Sequence, residues 1–514
     1  DTTFLLRQTT DNEMTGLNNN IRGGLDYFFS ENNILTASYL WRRSDARRLS
    51  DIRYEDYLYN LSTPLGYTLR QQDETEDEPN SEYSIVYKRK FGSEGHELTA
   101  EAKYLNYWER SDQMFPQQTF FPDGTEDISK NIFQRSLNDE YENQYLLQVD
   151  YVRPIGKDGK FETGLRSSFR DMVNDYIVTE KNADGSFTTL PGLDNYFIYK
   201  ENINGAYAIY GNKHQKFSWQ AGLRAEHTDV NTLLRETNVE NPRNYFNFFP
   251  SLHLTYELPK NNAIQWSYSR RVRRPVYNDL SPFVTFTDSR NFWSGNPDLN
   301  PEFSDVLELG HIRYFDKGSF SSSIYYRHTE DKIDRIRQVD DAGNATTRPE
   351  NLLRENAFGV EFTTGYSPKK WWKLDMNFNF FHAEIDGSNI ETAYKTSTYS
   401  WFSRVTSKFI LPKNFDFQVR GNYEAPQKTA QGSRKALYFI DLAASKDILR
   451  NKGTLTLNVS DLFNTRKMRT VTEGDNFRSE SDFQWRRRQV NLTFNYRINQ
   501  GKQVAKKKPA GAEE

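Results

Sequence analysis

The chain has 514 residues, of which 15% are aromatic and 27% are charged, and its mean hydropathy is -0.85. Its formal net charge of -3 lacks the basic footprint of a nucleic-acid-binding protein, and the absence of cysteine excludes disulfides and thiolate metal sites. No run of 18 apolar residues occurs, which excludes a transmembrane helix. So many aromatic rings in so polar a chain indicate a wall with lipid on one side and water on the other.

Alternation of apolar and polar residues with a period of two recurs along the chain, in segments 217–226, 372–380, 454–460 and 490–498. In the last segment one face carries Val490, Leu492, Phe494, Tyr496 and Ile498, and the other carries Asn491, Thr493, Asn495 and Arg497. This period predicts β-strands with one apolar and one polar face. A soluble β-sandwich gives the same period, so the alternation alone does not indicate a membrane.

Short turns and long polar stretches alternate between these strands. Turn-rich residues occur at 30–33, 92–95, 156–159, 211–214, 259–262, 316–318, 367–370, 412–414 and 451–453. Longer polar stretches lie between them, at 48–79, 110–137, 181–193, 276–301 and 471–481. Short periplasmic turns and long extracellular loops are typical of outer-membrane barrels, and aromatic residues beside the short turns fit an interfacial girdle. We therefore predict a large transmembrane antiparallel β-barrel of about 20 strands over residues 1–499, and a disordered periplasmic tail over 500–514.

The segment from Trp266 to Phe283 reads WSYSRRVRRPVYNDLSPF, and Gly295 to Glu302 reads GNPDLNPE. Together they resemble the barrel domain of TonB-dependent outer-membrane receptors, in the branch known as the outer-membrane β-barrel family. Segments 222–226 and 459–464 resemble further strands of that family. The resemblance covers most of the chain in pattern, whereas its specific motifs cover about 60 residues.

The resemblance implies a 22-stranded barrel, a plug domain that fills the lumen, and energy coupling through TonB. We accordingly expect the plug and the first strands to lie upstream of residue 1. The implied function is ligand uptake across the outer membrane, and the alternative is a plugless barrel that acts as a porin or as a structural subunit of a larger complex. The expected partners are outer-membrane lipid, lipopolysaccharide, TonB if the plug exists, and a surface lipoprotein or other envelope subunits, with no nucleic acid.

Four arginines, at positions 270, 271, 273 and 274, approach the outer rim in the family-like segment. The period of two sends Arg271 and Arg273 toward the lumen, where guanidinium groups can hold an anionic ligand. Arg270 and Arg274 share the parity of the lipid face. A structural role at the rim, with pairing to loop acids or lipopolysaccharide phosphates, is the favoured interpretation, and Arg271 and Arg273 are the candidates for ligand binding.

An acidic run, formed by Asp73, Glu74, Glu76, Asp77 and Glu78, falls in a predicted external loop. Carboxylate oxygens are ligands for divalent cations, but a solvated loop is the favoured interpretation, and no metal is assigned. His96-Glu97 begins like a zinc-protease motif, but Ala100 stands where the second histidine belongs. We expect no catalytic residues, no cofactor and no enzymatic activity. The ligand stays unassigned because one fold supports many functions.

Overall fold

The computed structural model describes residues 4–282, 284–285 and 290–498, and almost all of them lie in β-strands. None of the helices in these ranges is long and apolar enough to cross a membrane. The predicted tail 500–514 lies outside the described residues.

The strands of the wall are long. They are β1 (Phe4–Ser30), β2 (Asn33–Leu58), β3 (Pro64–Lys90), β4 (Glu97–Phe120), β5 (Ile132–Ile155), β6 (Gly159–Lys181), β7 (Phe187–His214), β8 (Phe217–Leu234), β9 (Val239–Leu258), β10 (Asn262–Arg273), β13 (Glu302–Phe315), β14 (Gly318–Val339), β15 (Ala345–Lys369), β16 (Trp372–Asp386), β17 (Lys395–Leu411), β18 (Phe415–Glu424), β21 (Leu437–Ile448), β22 (Gly453–Ser460) and β25 (Gln489–Tyr496). The connections contain a 3-10 helix (Ile128–Lys130), α1 (Tyr277–Leu280), β11 (Val284–Thr285), β12 (Asn291–Ser294), β19 (Gln427–Thr429), β20 (Gly432–Arg434), β23 (Met468–Gly474) and β24 (Phe477–Phe483).

Each wall strand pairs antiparallel with the next, in chain order, within one 21-stranded sheet. Two strands of that sheet, β11 and β12, are short connecting strands. The other 19 described strands form the wall, and the predicted number was about 20. The first and last wall strands, β1 and β25, both run toward the short-turn side, and no pairing joins them within the described ranges. Four short strands form a separate sheet on the long-loop side. The chain is therefore a large transmembrane antiparallel β-barrel, as the alternation and turns predict.

Tight turns connect neighbouring strands at one edge of the wall. They form because their residues can adopt left-handed backbone conformations. Lys260 and Asn261 have φ of 60° and 54°, and Lys413 and Asn414 have φ of 62° and 55°. Asparagine is enriched in this region, and paired positive φ values produce two-residue hairpins that follow the strand twist.

Aromatic rings mark both edges of the lipid-facing belt. Trp372 stacks on Phe409 with ring centroids 6.3 Å apart, directly above the short turns. At the other edge Trp108 lies 6.2 Å from Tyr141. The next outward-facing pair beyond them is ionic, with Arg110 Nε donating to Asp139 Oδ1 at 2.8 Å. Because amphipathic rings favour the membrane interface, the change from aromatic to ionic pairs indicates where the wall leaves the bilayer.

Most of the predicted long loops are instead extensions of the strands. Residues 48–79 belong to β2 and β3 except for a short connection, and 110–137 belong largely to β4 and β5. The 27-residue β3 is far longer than the ~10 residues that span a bilayer. The loop prediction was wrong there because both faces of a strand are polar once it has left the membrane. Segment 276–301 is a true long connection.

Candidate functional site in the outer half of the barrel

The described parts of the connection between β10 and β13, residues 274–282, 284–285 and 290–301, fold into the lumen and are called the strap. It contains α1, β11 and β12. The inward faces of β6, β7 and β8 pack against it through side chains that alternate with outward-facing ones. One buried apolar cluster unites wall and strap: Met172, Phe197, Tyr199, Val230, Tyr277, Leu280, Leu299 and Ile333. The strap is therefore a packed part of the fold.

Arg274 fixes the start of the strap to β8, which is separated from β10 by β9 alone. Its guanidinium forms a salt bridge with Glu226, which is 7% exposed, and donates to Thr228 Oγ1 at 3.2 Å. The prediction that Arg274 shares the lipid-face parity was wrong, because β10 ends at Arg273 and the chain turns inward at the next residue. Arg270 keeps the parity of the lipid-facing Tyr268, and both donate to Asp305.

The two predicted ligand-binding arginines differ in their partners. Arg273 donates to Glu302 Oε2 at 3.3 Å and to the Ile333 carbonyl at 3.4 Å, so it joins the ends of two strands. Arg271 lies opposite Ser304 in the sheet. The hydroxyl groups of Ser304 and the buried Thr329 form a hydrogen bond on the inner side of the wall. It is exposed, and within the described part of the chain it forms no salt bridge.

The second half of the family-like motif closes the strap. A Cβ on Gly295 would lie 2.3 Å from the Ser281 carbonyl oxygen, so only glycine permits this approach. The neighbouring Asn296 is 3% exposed and donates from Nδ2 to the Pro349 carbonyl at 3.1 Å. Leu299 is 1% exposed within the cluster. The GNP-x-L pattern is thus explained by close packing against α1 and β15.

Residues 290 and 291 of the strap contact wall strands on two sides of the outer opening. Arg290 forms a bidentate salt bridge with Asp56 near the outer end of β2, and Asn291 Nδ2 donates to Gln8 of β1 at 2.8 Å. The same Asn291 pairs in parallel register with Ala345 of β15. Since β2 and β15 are separated by many strands in the sheet, residues 290 and 291 link two sides of the opening.

The acidic run lies on β3, so its assignment to an external loop was wrong. Alternate residues face opposite ways. On the outer surface Asp73 accepts from Arg47 at 2.7 Å and Asp77 accepts from Arg43 at 2.9 Å. Glu74, Glu76 and Glu78 face the lumen, where they are joined by Glu109, Glu140 and Glu142 of β4 and β5.

These inward glutamates outnumber the bases beside them. Glu74 pairs with Arg48 at 2.9 Å, and Glu142 pairs with Arg170 at 2.6 Å. The other four, which we call the glutamate cluster, have no salt bridge to any described residue: Glu76, Glu78, Glu109 and Glu140. The alternation of residues along β4 and β5 was enough to predict that Glu109 and Glu140 face inward. It could not predict the strand register that aligns them with the glutamates of β3.

Burial and nearby carboxylates shift the titration of Glu76 and Glu140, two members of the glutamate cluster. Burial raises the pKa of Glu76 to about 7, and the neighbouring Glu78 adds to the shift. Burial also raises the pKa of Glu140 to about 7, with a further contribution from Glu109. Desolvation and like charges both disfavour the ionised carboxylate, which is why these two pKa values are raised.

A separate cavity of about 420 Å³ opens on the long-loop side. Its lining comes from three hairpins and includes Arg337, Asp340, Glu391, Tyr394, Asp475 and Asn476. The lining carries charges of both signs.

Comparison with known proteins agrees with this architecture. The sequence model of the outer membrane protein beta-barrel family matches residues 89–496. The chain belongs to that family. It is therefore a protein of the cell outer membrane, and the resemblance read from the 266–302 motifs is confirmed. No curated protein sequence matches the chain significantly.

Solved structures share the fold of this family member at low sequence identity. The copper transporter OprC is 13% identical, with a TM-score of 0.60, and the match covers 96% of this chain and 80% of that one. The siderophore receptor PiuA from Acinetobacter baumannii is 12% identical, with a TM-score of 0.59 and coverages of 96% and 81%. The FrpB iron transporter from Neisseria meningitidis is 12% identical, with a TM-score of 0.55 and the same coverages. This likeness shows a common barrel fold.

Proposed function

We propose that this protein is an outer-membrane receptor that takes up a ligand with energy supplied through TonB. The observation that carries the proposal is the strap, which links two sides of the outer opening and is anchored at Glu226, Asp56 and Ala345. A passive pore needs an open lumen, whereas an anchored obstruction must be moved for a bulky solute to pass. The outer membrane has no energy source of its own, so that work must come from the inner membrane.

The proposal includes a plug and a TonB-binding segment in the full-length protein, together with the barrel over residues 1–499. Strand direction supports further wall strands. Because β1 and β25 run the same way, antiparallel closure between them takes an odd number of additional strands. Three would give the 22 strands that the family resemblance implies.

We further propose Arg271, rather than Arg273, as the arginine that contacts an anionic group of the ligand. Arg271 is exposed toward the lumen, while Arg273 is engaged by Glu302. A guanidinium with free donors can bind carboxylate or phosphate bidentately. In uptake assays Arg271→Ala should reduce transport at low ligand concentration, whereas Arg273→Lys should change it little.

Two measurements on the full-length protein test the uptake proposal. The periplasmic domain of TonB from the same bacterium should bind the purified protein in a titration calorimeter. In planar lipid bilayers the protein should show no steady ion conductance. A steady ohmic conductance without TonB binding would overturn the proposal in favour of a porin, and neither property, with stable co-purification of envelope proteins, would favour a structural subunit.

A further inference from the structure

We propose that the periplasmic edge of the barrel binds anionic phospholipid headgroups through Lys446, Lys413 and Arg450. Lys446 pairs with Phe415 of β18 on one side and with Leu455 of β22 on the other. Residues directly opposite each other in a sheet face the same way, so Lys446 lies on the lipid-facing side of β21 together with these apolar side chains. This inference holds for an active transporter and for a passive pore alike.

Basic side chains that face lipid near the short turns lack acidic partners. Four of them lie on the lipid-facing parity of their strands, are exposed, and form no salt bridge with a described residue: Arg89, Arg153, Arg313 and Lys446. No aspartate or glutamate of a described strand shares that face near the short turns. The lipid-facing wall therefore carries positive charge that the described protein does not neutralise.

Basic side chains that face the lumen at the same edge do have acidic partners. Lys88 Nζ lies 2.7 Å from Glu97 Oε2, and Lys408 Nζ lies 2.9 Å from Asp416 Oδ2. Two further inward lysines, Lys160 and Lys213, are paired with glutamates in the same way. The acids of this edge thus face the lumen, and a phosphate group from the bilayer would be the counterion for the bases that face lipid.

The two short turns beside Lys446 add further positive charge. They contribute Lys413 and Arg450, which are exposed and form no salt bridge within the described ranges, and neither turn contains an acidic residue. Asn414 Nδ2 donates to Asn451 Oδ1 at 2.9 Å, so a hydrogen bond joins one turn to the other. Three cationic side chains therefore lie on neighbouring elements of one edge, where the other lipid-facing bases stand alone.

The aromatic belt places these cations at the depth of the headgroups. Trp371, in the turn before β16, is 48% exposed and stacks on Phe409 with ring centroids 6.3 Å apart. Phe409 stacks in turn on Phe417 at 6.3 Å, on the same face as Lys446. Such rings favour the membrane interface, and the long lysine side chain can carry its ammonium group from the lipid-facing wall to the headgroups.

The charge of the headgroup selects the lipid. A phosphatidylglycerol headgroup has a net negative charge, whereas a phosphatidylcholine headgroup carries a cation of its own. Basic clusters at a membrane surface favour anionic lipid by about fivefold for each lysine or arginine. Because salt screens exposed charges, the preference should also fall as the ionic strength rises. We therefore expect this edge to select phosphatidylglycerol over phosphatidylcholine.

Native mass spectrometry of the full-length, delipidated protein in detergent tests the proposal. The protein is titrated with phosphatidylglycerol or with phosphatidylcholine of the same acyl chains, and the dissociation constant of the first bound lipid is measured. Wild-type protein should prefer phosphatidylglycerol at least about twentyfold. Lys446→Gln should weaken phosphatidylglycerol binding about fivefold, and Lys413→Gln/Lys446→Gln/Arg450→Gln should keep at most the about fivefold preference of an isolated base. Lys446→Arg should bind like the wild type.

The matched control is Lys408→Gln, which removes the same charge from the lumen face of β17 and should change the affinity less than about twofold. Retained heat-dependent gel mobility should verify that each variant is folded. The proposal is overturned if wild-type protein binds both lipids equally, or if Lys408→Gln loses as much affinity as Lys446→Gln. Displacement of phosphatidylglycerol by millimolar inorganic phosphate would show a site for a free anion, and would overturn the proposal as well.

Discussion

The membrane half and the outer half of the same wall strands face different surroundings and carry different side chains. In the half near the short turns, the outward side chains of β3 are Tyr83 and Ile85, 49% and 54% exposed to the surroundings. In the outer half the same face of β3 carries Asp77, paired with Arg43. The inward face changes as well, from open lumen to a wall buried beneath the strap.

The difference shows that the same alternation of side chains along a β-strand can place its outward face in lipid in one half and in water in the other. Lipid demands that every outward side chain of the membrane half be apolar or aromatic. Outward side chains that face water can be charged. The outer half therefore has cross-strand ion pairs on its outward face and a packed, partly acidic surface on its inward face. Specificity and regulation can therefore reside in the outer half without disturbing membrane insertion.

The largest effect on this comparison should come from Leu299→Ala, which removes a buried leucine from the strap cluster. We expect about 3 kcal/mol of local destabilisation, because the cavity has rigid walls on both sides. Hydrogen exchange should show faster exchange of strap amides while the membrane half stays protected. Leu353→Ala, at a leucine that is 48% exposed, serves as the control. Equal loss of protection in both halves would contradict the separation.

The substitution Leu492→Asp should destabilise the membrane half. Leu492 is 69% exposed on the lipid-facing side of β25, and a carboxylate there costs on the order of 2 kcal/mol of folding free energy. Folding into liposomes, followed by gel mobility, should show a reduced folded fraction. Asn491→Ser, on the other face, should fold normally, and equal behaviour of the two variants would contradict the assigned facing.

The glutamate cluster makes the outer half sensitive to pH. The pKa values of Glu76 and Glu140 are raised to about 7 from an ordinary value of 4.5. The folded state therefore binds more protons than the unfolded state between these values, and stability present below pH 4.5 is lost as the pH rises through about 7. In EDTA the urea midpoint should be higher at pH 5 than at pH 8.

Partial exposure limits this effect to on the order of 1 kcal/mol. Glu76→Gln should flatten the pH dependence, whereas Asp77→Asn should leave it as in the wild type. An unchanged slope in Glu76→Gln would show that the cluster does not titrate in this range.

The smallest effect should follow from Arg43→Ala, which breaks an exposed ion pair on the outer face. Water screens such pairs, so the urea midpoint should not move measurably. A clear shift would mean that the outer-half ion pairs hold the projecting strands together.

The sequence predicted the membrane half well because lipid imposes a strict rule on alternate residues. The alternation at 490–498 and 372–380, and most of the short turns, correspond to the observed strands and hairpins. The extent of β3 and β4 could not be read in the same way, because segment 48–79 is polar on both faces once it leaves the bilayer. Its strands are visible only through their cross-strand partners, as in Arg47 with Asp73.

What the sequence determined by itself is the barrel, its two-sided wall and its family, since local period and a short motif suffice for these. Only the tertiary structure decided that the strap folds inward, that Arg274 pairs with Glu226, and that Glu78, Glu109 and Glu140 share one level of the wall. Those features depend on strand register and on contacts between distant segments. Register is set by the whole sheet, so no single segment of sequence contains it.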